Sequence, residues 1–223
     1  MAFENPNKIN DAHIPCDNDN ILQFEQTYVH DVYNTIADSF SATRYKPWAF
    51  IKEYLQMLPT DSIMVDVGCG NGKYLGISRG QSIGCDMCDK LLQIASKKGY
   101  EVMHADALAL PIADEFADCV ISIAVIHHFA SLERRLNAVR EMLRITKVGG
   151  EILIYVWSVT DTMGSSTDKF VKWSHQTLAS VTNRYYHFFA KGELEALCLT
   201  CGGCEIIKSY FDKENWACLV RKL

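Results

Sequence analysis

The residues in this sequence best suited to chemistry are an aspartate followed by three alternating glycines. Asp66 precedes Gly68, Gly70 and Gly72 in the segment VDVGCGNGKYLG, directly after a short β-branched run. Glycines at the end of a strand let the backbone turn sharply and approach a ligand closely. The spacing does not fit a phosphate-binding P-loop, because Gly68 lies one residue too close to Gly72. In addition, Tyr74 stands where a P-loop has the serine or threonine that binds magnesium.

The dinucleotide-binding fingerprint is also incomplete, because Lys73 stands where its third glycine would be. Two further aspartates follow the next two predicted strands: Asp86, 20 residues after Asp66, and Asp106. The carboxyl ends of neighbouring parallel strands meet at one edge of a sheet, where open α/β folds bind ligands. There Asp86 could accept hydrogen bonds from two ribose hydroxyls. The alternative is that these carboxylates only cap turns and helix starts.

A regular alternation of strands and helices is needed to position these residues. Runs rich in β-branched residues predict strands at 63–67, 82–85, 101–103, 119–123 and 152–157. The spacing of apolar residues predicts helices at 73–77, 90–98 and 132–145. The alternation indicates βαβ units and a mainly parallel sheet with right-handed crossovers.

The two ends of the chain depart from this alternation. A helix at 192–200 precedes strands at 204–210 and 216–221, whose short connection requires an antiparallel hairpin. Residues 1–24 are polar and predict a flexible N-terminal arm, ahead of a single domain over 25–223. Apolar spacing predicts two N-terminal helices, with the segment SATRYKPW between them. Residues 158–183 have weak periodicity and are predicted to be an insertion.

The composition is that of an ordinary soluble domain: 223 residues, 48% hydrophobic and 22% charged, with a net charge of −5. This charge excludes a histone-like protein held to nucleic acid by its net positive charge. No apolar run reaches the roughly 20 residues of a membrane span, and the polar N-terminus does not resemble a signal peptide.

Nine cysteines raise the question of a metal site. Cys85 and Cys88 form a C-x-x-C pair, and Cys198, Cys201 and Cys204 form a C-x-x-C-x-x-C run. Two such clusters have the spacing of zinc ligands. The other interpretation is that they are small buried apolar side chains, because the first pair follows a strand and the run lies among leucines at helical spacing. Without a secretion signal we expect reduced thiols and a cytoplasmic chain.

The loop as a whole, acidic-x-Gly-x-Gly-x-Gly, resembles the nucleotide loop of class I S-adenosylmethionine-dependent methyltransferases. S-adenosylmethionine carries a sulfonium and an α-ammonium but no phosphate, so an acidic residue beside the loop suits its amino-acid end. The resemblance places Asp106 and Ala107 at the adenine, and Ser122 to Val125 at the start of SIAVIHHF against the cofactor. The cofactor-binding residues implied are Asp66, Gly68, Gly70, Asn71, Lys73, Asp86, Met87, Asp106, Ala107, Ser122 and Ile123. No metal is expected in this chain.

A closer resemblance extends from Tyr28 to Lys222. The segments YVHDVYNTIADSFSATRYKPW, VDVGCGNGKYLG, SIAVIHHF, ERR, GGEILIYVW and RYYHFFAKGELEAL resemble those of eukaryotic tRNA wobble-uridine carboxymethyl methyltransferases. The resemblance implies a Rossmann-like α/β fold with N-terminal helices. Its seven-stranded, mostly parallel sheet has the order 3-2-1-4-5-7-6 and ends in an antiparallel hairpin. It also implies methylation of the carboxylate of C5-carboxymethyluridine at the anticodon wobble position, which gives the methyl ester.

A carboxylate nucleophile of pKa about 4 is ionised at neutral pH, so this reaction needs alignment rather than a strong general base. The candidates for holding the substrate carboxylate and the uridine are His127, His128, Arg44, Arg184 and Tyr186. For the histidines, a structural role or a zinc site is the alternative, although adjacent histidines lack the usual spacing of zinc ligands on a helix. The segment SATRYKPW suits an unstacked anticodon base, or else forms a packed turn around its tryptophan.

The resemblance implies two partners: tRNA and a small zinc-binding activator protein that forms a heterodimer with the chain. In the implied strand order the third strand is an edge, so the activator is expected to dock on 100–104 and to hold the zinc itself. The net negative charge predicts weak tRNA affinity for the chain alone, with binding to a local basic patch. Its expected members are Arg44, Lys46, Arg134, Arg135, Lys169, Lys172 and Arg184.

Three other classes of protein stay open at this point. A small-molecule or protein methyltransferase of the same fold would keep the loop without using Arg44 or Arg184 as RNA contacts. A non-catalytic regulator would have lost cofactor affinity, and the presence of Asp66 and Asp86 disfavours this class. A nicotinamide oxidoreductase would need the glycine that Lys73 replaces.

Overall fold

A seven-stranded sheet forms the centre of the molecule. The computed structural model describes residues 9–15, 17–160, 166–174 and 182–223. In sheet order the strands are β4 (Glu101–His104), β3 (Gln81–Asp86), β2 (Ile63–Val67), β5 (Ala117–Ile123), β6 (Thr146–Trp157), β10 (Asn215–Lys222) and β9 (Cys204–Asp212). The first five are parallel, and β10 runs antiparallel to both of its neighbours. This confirms the predicted fold class, strand order and closing hairpin.

Helices flank this sheet. They are α1 (Asn18–Glu25), α2 (Asp31–Thr43), α3 (Ala49–Met57), α4 (Asp89–Lys97), α5 (Leu132–Ile145) and α6 (Glu193–Cys201), with a π-helical turn between α1 and α2. Helix α5 has its predicted bounds because the Ser131 hydroxyl accepts the Arg134 N–H at 3.3 Å and caps its first turn. None of the helices in the described part of the chain is long and apolar enough to cross a membrane.

The helix predicted at 73–77 is wrong, because the chain forms successive turns and bends there. Gly72 and Gly76 both have a φ of +73°, outside the range of a right-handed helix. A Cβ at either glycine would lie 2.8 Å from the ring of Tyr100. The glycine-rich loop therefore continues to Gly80 as a compact coil packed on one aromatic side chain.

A second, three-stranded sheet joins the N-terminal arm to the predicted insertion. Its strands β1 (Ile9–Asp11), β7 (Asp168–Trp173) and β8 (Thr182–His187) pair antiparallel in the order β1-β7-β8. The expected flexible arm is thus ordered over 9–11 and in α1, because Ile21 and Phe24 are buried against Tyr185. The remaining arm residues, 1–8 and Cys16, lie outside the described residues, and the domain boundaries stay a prediction.

The predicted insertion contains regular structure. Alternate side chains of β7 are buried, and Arg184, Tyr185 and Tyr186 of β8 are all at most 2% exposed. Residues 161–165 and 175–181 of this segment lie outside the described part of the chain. The insertion therefore contributes β7 and the first two residues of β8, and the buried residues of β8 follow it directly.

Most of the cysteines pack as small apolar side chains. Of the eight described cysteines, all are free and only Cys201 is partly exposed. Cys85 lies in a cluster with Val65 and Val67 of the neighbouring strand. Within the described residues, no three His, Cys, Asp or Glu side chains are arranged to hold a metal ion.

Candidate functional site

The carboxyl ends of β2, β3 and β5 open into a cavity that gathers the predicted site residues. Helix α2 and strand β8 contribute the facing wall, with Tyr33 and Tyr186 among its lining residues. The predicted residues in the lining are Arg44, Asp66, Gly68, Gly70, Asn71, Lys73, Asp86, Met87, Asp106, Ala107, Ile123, His127, His128, Arg184 and Tyr186. Cofactor candidates and substrate candidates therefore share one cavity.

Ser122 is the predicted site residue that the structure does not bring to the cavity. It is fully buried within β5, whereas its neighbour Ile123 lines the cavity. Successive side chains of a strand point to opposite faces, so the two cannot line the same wall. The assignment of Ser122 as a cofactor-binding residue is corrected accordingly.

Asp86 has a structural role in the loop that the sequence did not reveal. Its two carboxylate oxygens accept the N–H groups of Gly70 and Cys88, each at 2.8 Å. Burial raises the pKa of Asp86, although these two hydrogen bonds oppose the shift. A carboxylate has about four acceptor positions. Asp86 can therefore hold the loop and still accept hydrogen bonds from a ligand.

Gly68 allows the loop to approach the chain that follows β5. It has a φ of +80°, and a Cβ there would lie 2.3 Å from the side chain of Val125. Its N–H donates to the carbonyl of Cys85 at 2.8 Å. Only glycine meets both the backbone conformation and the contact.

Asp66, which is buried, and Lys73, which is half-buried, carry opposite charges at the cavity wall. Asp66 is 1% exposed, and its Oδ2 has no hydrogen-bond partner among the described residues. Burial raises the pKa of Asp66 to about 7, and burial lowers the pKa of Lys73 to about 8. Each charge partly opposes the shift of the other. A buried carboxylate oxygen without a partner fits a ligand that carries an ammonium group.

The capping interpretation is partly correct for the other aspartates. Asp106 accepts the N–H of Leu108 at 2.9 Å, as Asp86 accepts the N–H of Cys88. Both carboxylates also line the cavity. The two roles are therefore compatible, because each aspartate stabilises its turn and faces the site.

His127 is a neutral donor rather than a base. The backbone N–H of Trp157 donates to its Nδ1 at 3.3 Å, so its proton is on Nε2. Burial lowers its pKa well below the ordinary value, and the charge of Arg184 adds to this shift. The side chain is fully buried, lines the cavity and has no hydrogen-bond partner for Nε2 in the described residues. Its Nε2–H can therefore donate to a ligand oxygen.

His128 is also neutral, because burial lowers its pKa to about 3. Its Nδ1 lies 2.8 Å from the carbonyl oxygen of Tyr185, and its Nε2 lies 3.0 Å from the hydroxyl of Tyr33. Both ring nitrogens are thus engaged within the protein. Neither histidine has a pKa suited to general base catalysis near neutral pH.

Two guanidinium groups stack against one tryptophan ring behind the cavity wall. The central guanidinium carbon of Arg184 lies 4.8 Å from the centre of the Trp173 ring, and that of Arg44 lies 5.4 Å from it. The Trp173 indole N–H donates to Ser39 at 3.2 Å, and Arg184 donates to the Tyr186 hydroxyl at 2.7 Å. Two cations fixed in this way favour the binding of an anion such as a carboxylate.

The predicted basic patch is largely absent from the surface. Arg134 contacts the buried carboxylate of Glu25 at 2.7 Å, and Lys169 is buried and paired with Asp11. Arg135 and Arg184 are buried as well. Of the predicted members, Lys46 is exposed, and Arg44 and Lys172 are partly exposed. The prediction of one continuous patch is therefore wrong, because most of these cations hold the fold together.

Sequence reasoning missed several aromatic residues of the site, among them Tyr33, Trp157 and Trp173. Tyr33 and Trp157 line the cavity, and Trp173 lies behind it. Trp157 stacks on Tyr186 with ring centres 4.5 Å apart. In sequence Tyr33 and Trp157 lie in ordinary helical and strand patterns, which are equally typical of core residues, and Trp173 lies in the segment of weak periodicity.

The sheet order, the acidic glycine-rich loop and the aspartates at successive strand ends define the class I S-adenosylmethionine-dependent methyltransferase fold. A methyltransferase domain model matches residues 65–154. The CcbJ methyltransferase of Streptomyces caelestis has a TM-score of 0.70 at 11% identity, covering 89% of this chain and 98% of that chain. One chain of the complex between the Haloferax volcanii Trm112 methyltransferase activator and a methyltransferase has a TM-score of 0.65 at 14% identity, covering 86% and 96%. These structures show the fold alone.

Sequence relatives identify the family. The tRNA (carboxymethyluridine(34)-5-O)-methyltransferase of Schizosaccharomyces pombe is 38% identical over 227 residues, 90% of this chain and 99% of the relative. That of Macaca fascicularis is 32% identical over 303 residues, 93% of this chain and 46% of the relative. The chain belongs to the family of tRNA (carboxymethyluridine(34)-5-O)-methyltransferases. It spans 41–46% of the length of the Macaca, Mus and Xenopus relatives.

Proposed function

We propose that the chain methylates the carboxylate of C5-carboxymethyluridine at the wobble position of tRNA, with S-adenosylmethionine as methyl donor. The observation that carries this proposal is a cavity with a site for a cation and a site for an anion. Asp66 provides the first, and the guanidinium groups of Arg44 and Arg184 provide the second. Methyl transfer from a sulfonium to a carboxylate needs this combination. The names of the family members supply the identity of the substrate.

The described residues around the loop fit S-adenosylmethionine. The unpartnered oxygen of Asp66 suits its α-ammonium group, and the remaining acceptor positions of Asp86 suit the ribose hydroxyls. Asp106 and Ala107 line the part of the cavity proposed for the adenine. When bound, the cofactor supplies an electrophilic methyl group on its sulfonium.

The substrate carboxylate needs orientation rather than deprotonation. Its ordinary pKa of about 4 leaves it ionised at neutral pH, and neighbouring guanidinium groups favour that ionised form further. Arg44, Arg184 and the Nε2–H of His127 offer only donors, which suits a group that only accepts hydrogen bonds. The residues therefore act by alignment, and the neutral state of both histidines agrees with this role.

Two partners belong to the proposal. The substrate is tRNA, and an activator protein is expected to dock on β4, which is an edge strand of the main sheet. The Haloferax chain of similar fold is described in complex with such an activator, which supports this expectation. Zinc would belong to the activator, and a cytoplasmic location stays a prediction.

Transfer of a labelled methyl group to tRNA tests the proposed function. With the activator present, we expect an alkali-labile label on tRNA that carries wobble carboxymethyluridine and none on the same tRNA without the carboxymethyl group. Arg184→Lys keeps the charge but loses the planar fork, so kcat/KM should fall about 10-fold to 100-fold with cofactor affinity unchanged. The matched control Arg140→Lys lies on the exposed side of α5 and should have no effect. Equal labelling of both tRNAs would contradict the proposal.

A further inference from the structure

A chain of hydrogen bonds runs along the cavity wall between β8, α2 and the segment after β5. Arg184 Nη1 lies 2.7 Å from the Tyr186 hydroxyl, which lies 3.2 Å from the Tyr33 hydroxyl. The Tyr33 hydroxyl lies 3.0 Å from Nε2 of His128, and Nδ1 of that ring lies 2.8 Å from the carbonyl of Tyr185. Tyr33, which lies on α2, connects the Arg184–Tyr186 hydrogen bond to the His128–Tyr185 hydrogen bond.

The groups at the two ends of this series of hydrogen bonds determine which atom donates in each of them. The carbonyl oxygen of Tyr185 can only accept, so Nδ1 of His128 carries a proton. Because the His128 ring is neutral, with its pKa lowered to about 3 by burial, Nε2 is an acceptor. The Tyr33 hydroxyl must therefore donate to Nε2. At the other end a guanidinium can only donate, so Tyr186 accepts from Arg184 and donates its own proton to the oxygen of Tyr33.

Packing holds the ring of Tyr33 independently of its hydroxyl. The ring meets Phe40 edge to face, with centres 5.3 Å apart, and meets His128 in the same way at 5.2 Å. Removal of the hydroxyl alone would leave these contacts in place. It would also remove the hydroxyl oxygen to which Tyr186 donates. A polarised chain of this kind couples groups that do not touch each other.

We propose that Tyr33 is a positioning residue whose hydroxyl, by linking His128 to Tyr186, holds Arg184 in the orientation that receives the substrate carboxylate. This assignment rests on the proposed function. The guanidinium packs against the Trp173 ring and donates to the Tyr186 hydroxyl. Tyr33 fixes the proton of that hydroxyl, so Arg184 always meets an oxygen lone pair there. Tyr33 lies outside residues 65–154, the part matched by the general methyltransferase domain model.

Tyr33→Phe tests this role in steady-state kinetics with the activator and carboxymethyluridine tRNA. We expect kcat/KM to fall about 10-fold to 100-fold, mainly through kcat, with cofactor affinity unchanged. In a Tyr186→Phe background the same substitution should lower kcat/KM by less than about 2-fold, because the series of hydrogen bonds is already interrupted at Tyr186. The matched control is Tyr54→Phe, which loses a hydroxyl bonded to Glu151 at 3.0 Å outside the cavity lining. It should leave kcat/KM unchanged.

Side-chain ¹⁵N NMR gives a readout that needs no substrate. Tyr33→Phe should shift the Nε2 resonance of His128 and also the guanidinium resonances of Arg184, to which Tyr33 is linked through Tyr186. Tyr54→Phe should shift neither. Unchanged Arg184 resonances, or full additivity of the two Tyr→Phe substitutions, would overturn the positioning role. If the wild-type chain forms no methyl ester, the proposed function fails, and the Arg184 resonances alone decide whether Tyr33 positions that side chain.

Discussion

At the scale of single residues, the site is defined by charges that burial makes unfavourable. Asp66 is 1% exposed and lacks a hydrogen bond to Oδ2 among the described residues, and Lys73 only partly compensates its charge. Such a carboxylate stays partly protonated near neutral pH, since its pKa is about 7. A cationic ligand favours the ionised form. Ligand binding and ionisation of Asp66 are therefore linked.

The first prediction concerns this linkage. Because only ionised Asp66 attracts the ammonium group, affinity for S-adenosylmethionine should rise between about pH 6 and about pH 8 and level off above the pKa. Asp66→Asn should weaken binding about 10-fold or more and remove the pH dependence. Calorimetric titration across this range measures both effects. The exposed control Asp61→Asn should behave as wild type. A pH dependence that survives in Asp66→Asn would refute the linkage.

Residue types at strand ends could be predicted, but their mutual contacts could not. Asp66, Asp86 and Asp106 were identified because topology places strand ends together. The hydrogen bond from Gly70 to Asp86 joins the loop after β2 to the end of β3 and leaves no local signal. Tyr33 belongs to a helical apolar pattern, which does not distinguish a site residue from a core residue.

At the scale of elements, a buried histidine ties three of them together. His187 of β8 contacts Asp168 of β7 at 2.9 Å and Glu193 of α6 at 2.6 Å. Burial and the nearby Arg135 lower the pKa of His187, but its hydrogen bonds to the two carboxylates outweigh them, so the net shift is upward. The protonated ring therefore links the small sheet to α6 and lies on the same strand as Arg184.

The second prediction follows from the direction of this shift. A raised pKa in the folded state gives stability that is fully present below the unfolded value of about 6.5 and is lost as the pH rises through the folded value. His187→Gln should therefore cost about 1.5–3 kcal/mol near pH 6 and progressively less at higher pH. Urea unfolding of both proteins at several pH values measures this difference.

The control for this experiment is His104→Gln, which removes an exposed histidine paired with Asp89 at 2.6 Å. Exposed ion pairs contribute little to stability, so this substitution should change the free energy of unfolding only slightly at every pH. A constant cost of His187→Gln over the whole pH range would show that the ring is not protonated between the carboxylates.

Elements with complete local signals were predicted well. Strand β2 and helix α5 have their predicted bounds, the helix because of its cap and apolar stripe. The turns over 73–77 differ because Gly72 and Gly76 interrupt a short apolar pattern. Strand β1 has three residues and pairs with β7 near the other end of the chain. Its stability comes from that distant partner, which a local pattern cannot show.

At the scale of the whole molecule, the main sheet has two edges with different environments. One edge is β4, next to the cavity strands, and the other is β9, in the C-terminal hairpin. The net charge is −5, and Arg134 and Lys169 of the predicted basic patch are engaged with Glu25 and Asp11 instead of being free to contact RNA. A partner that extends the sheet would supply both a cover for the edge and further contacts to tRNA.

The third prediction locates this partner. A protein that adds a strand to an edge protects the backbone N–H groups there from exchange with water. Addition of the activator should therefore slow hydrogen exchange in β4, and exchange in β9 should not change. Hydrogen exchange measured by mass spectrometry resolves both strands in one experiment, so β9 is the internal control. Protection of β9 without protection of β4 would show that the partner docks on the opposite edge and would contradict the prediction.

The most direct test of the proposed function is the identity of the nucleoside that receives the methyl group. The chain, its activator and isotopically labelled S-adenosylmethionine are incubated with tRNA bearing wobble carboxymethyluridine, and the nucleosides are then separated by mass spectrometry. We expect the label to appear in the methyl ester of carboxymethyluridine and to be released by mild alkali. An alkali-stable label on a ribose or a base, or a label in protein with the tRNA unmodified, would contradict it.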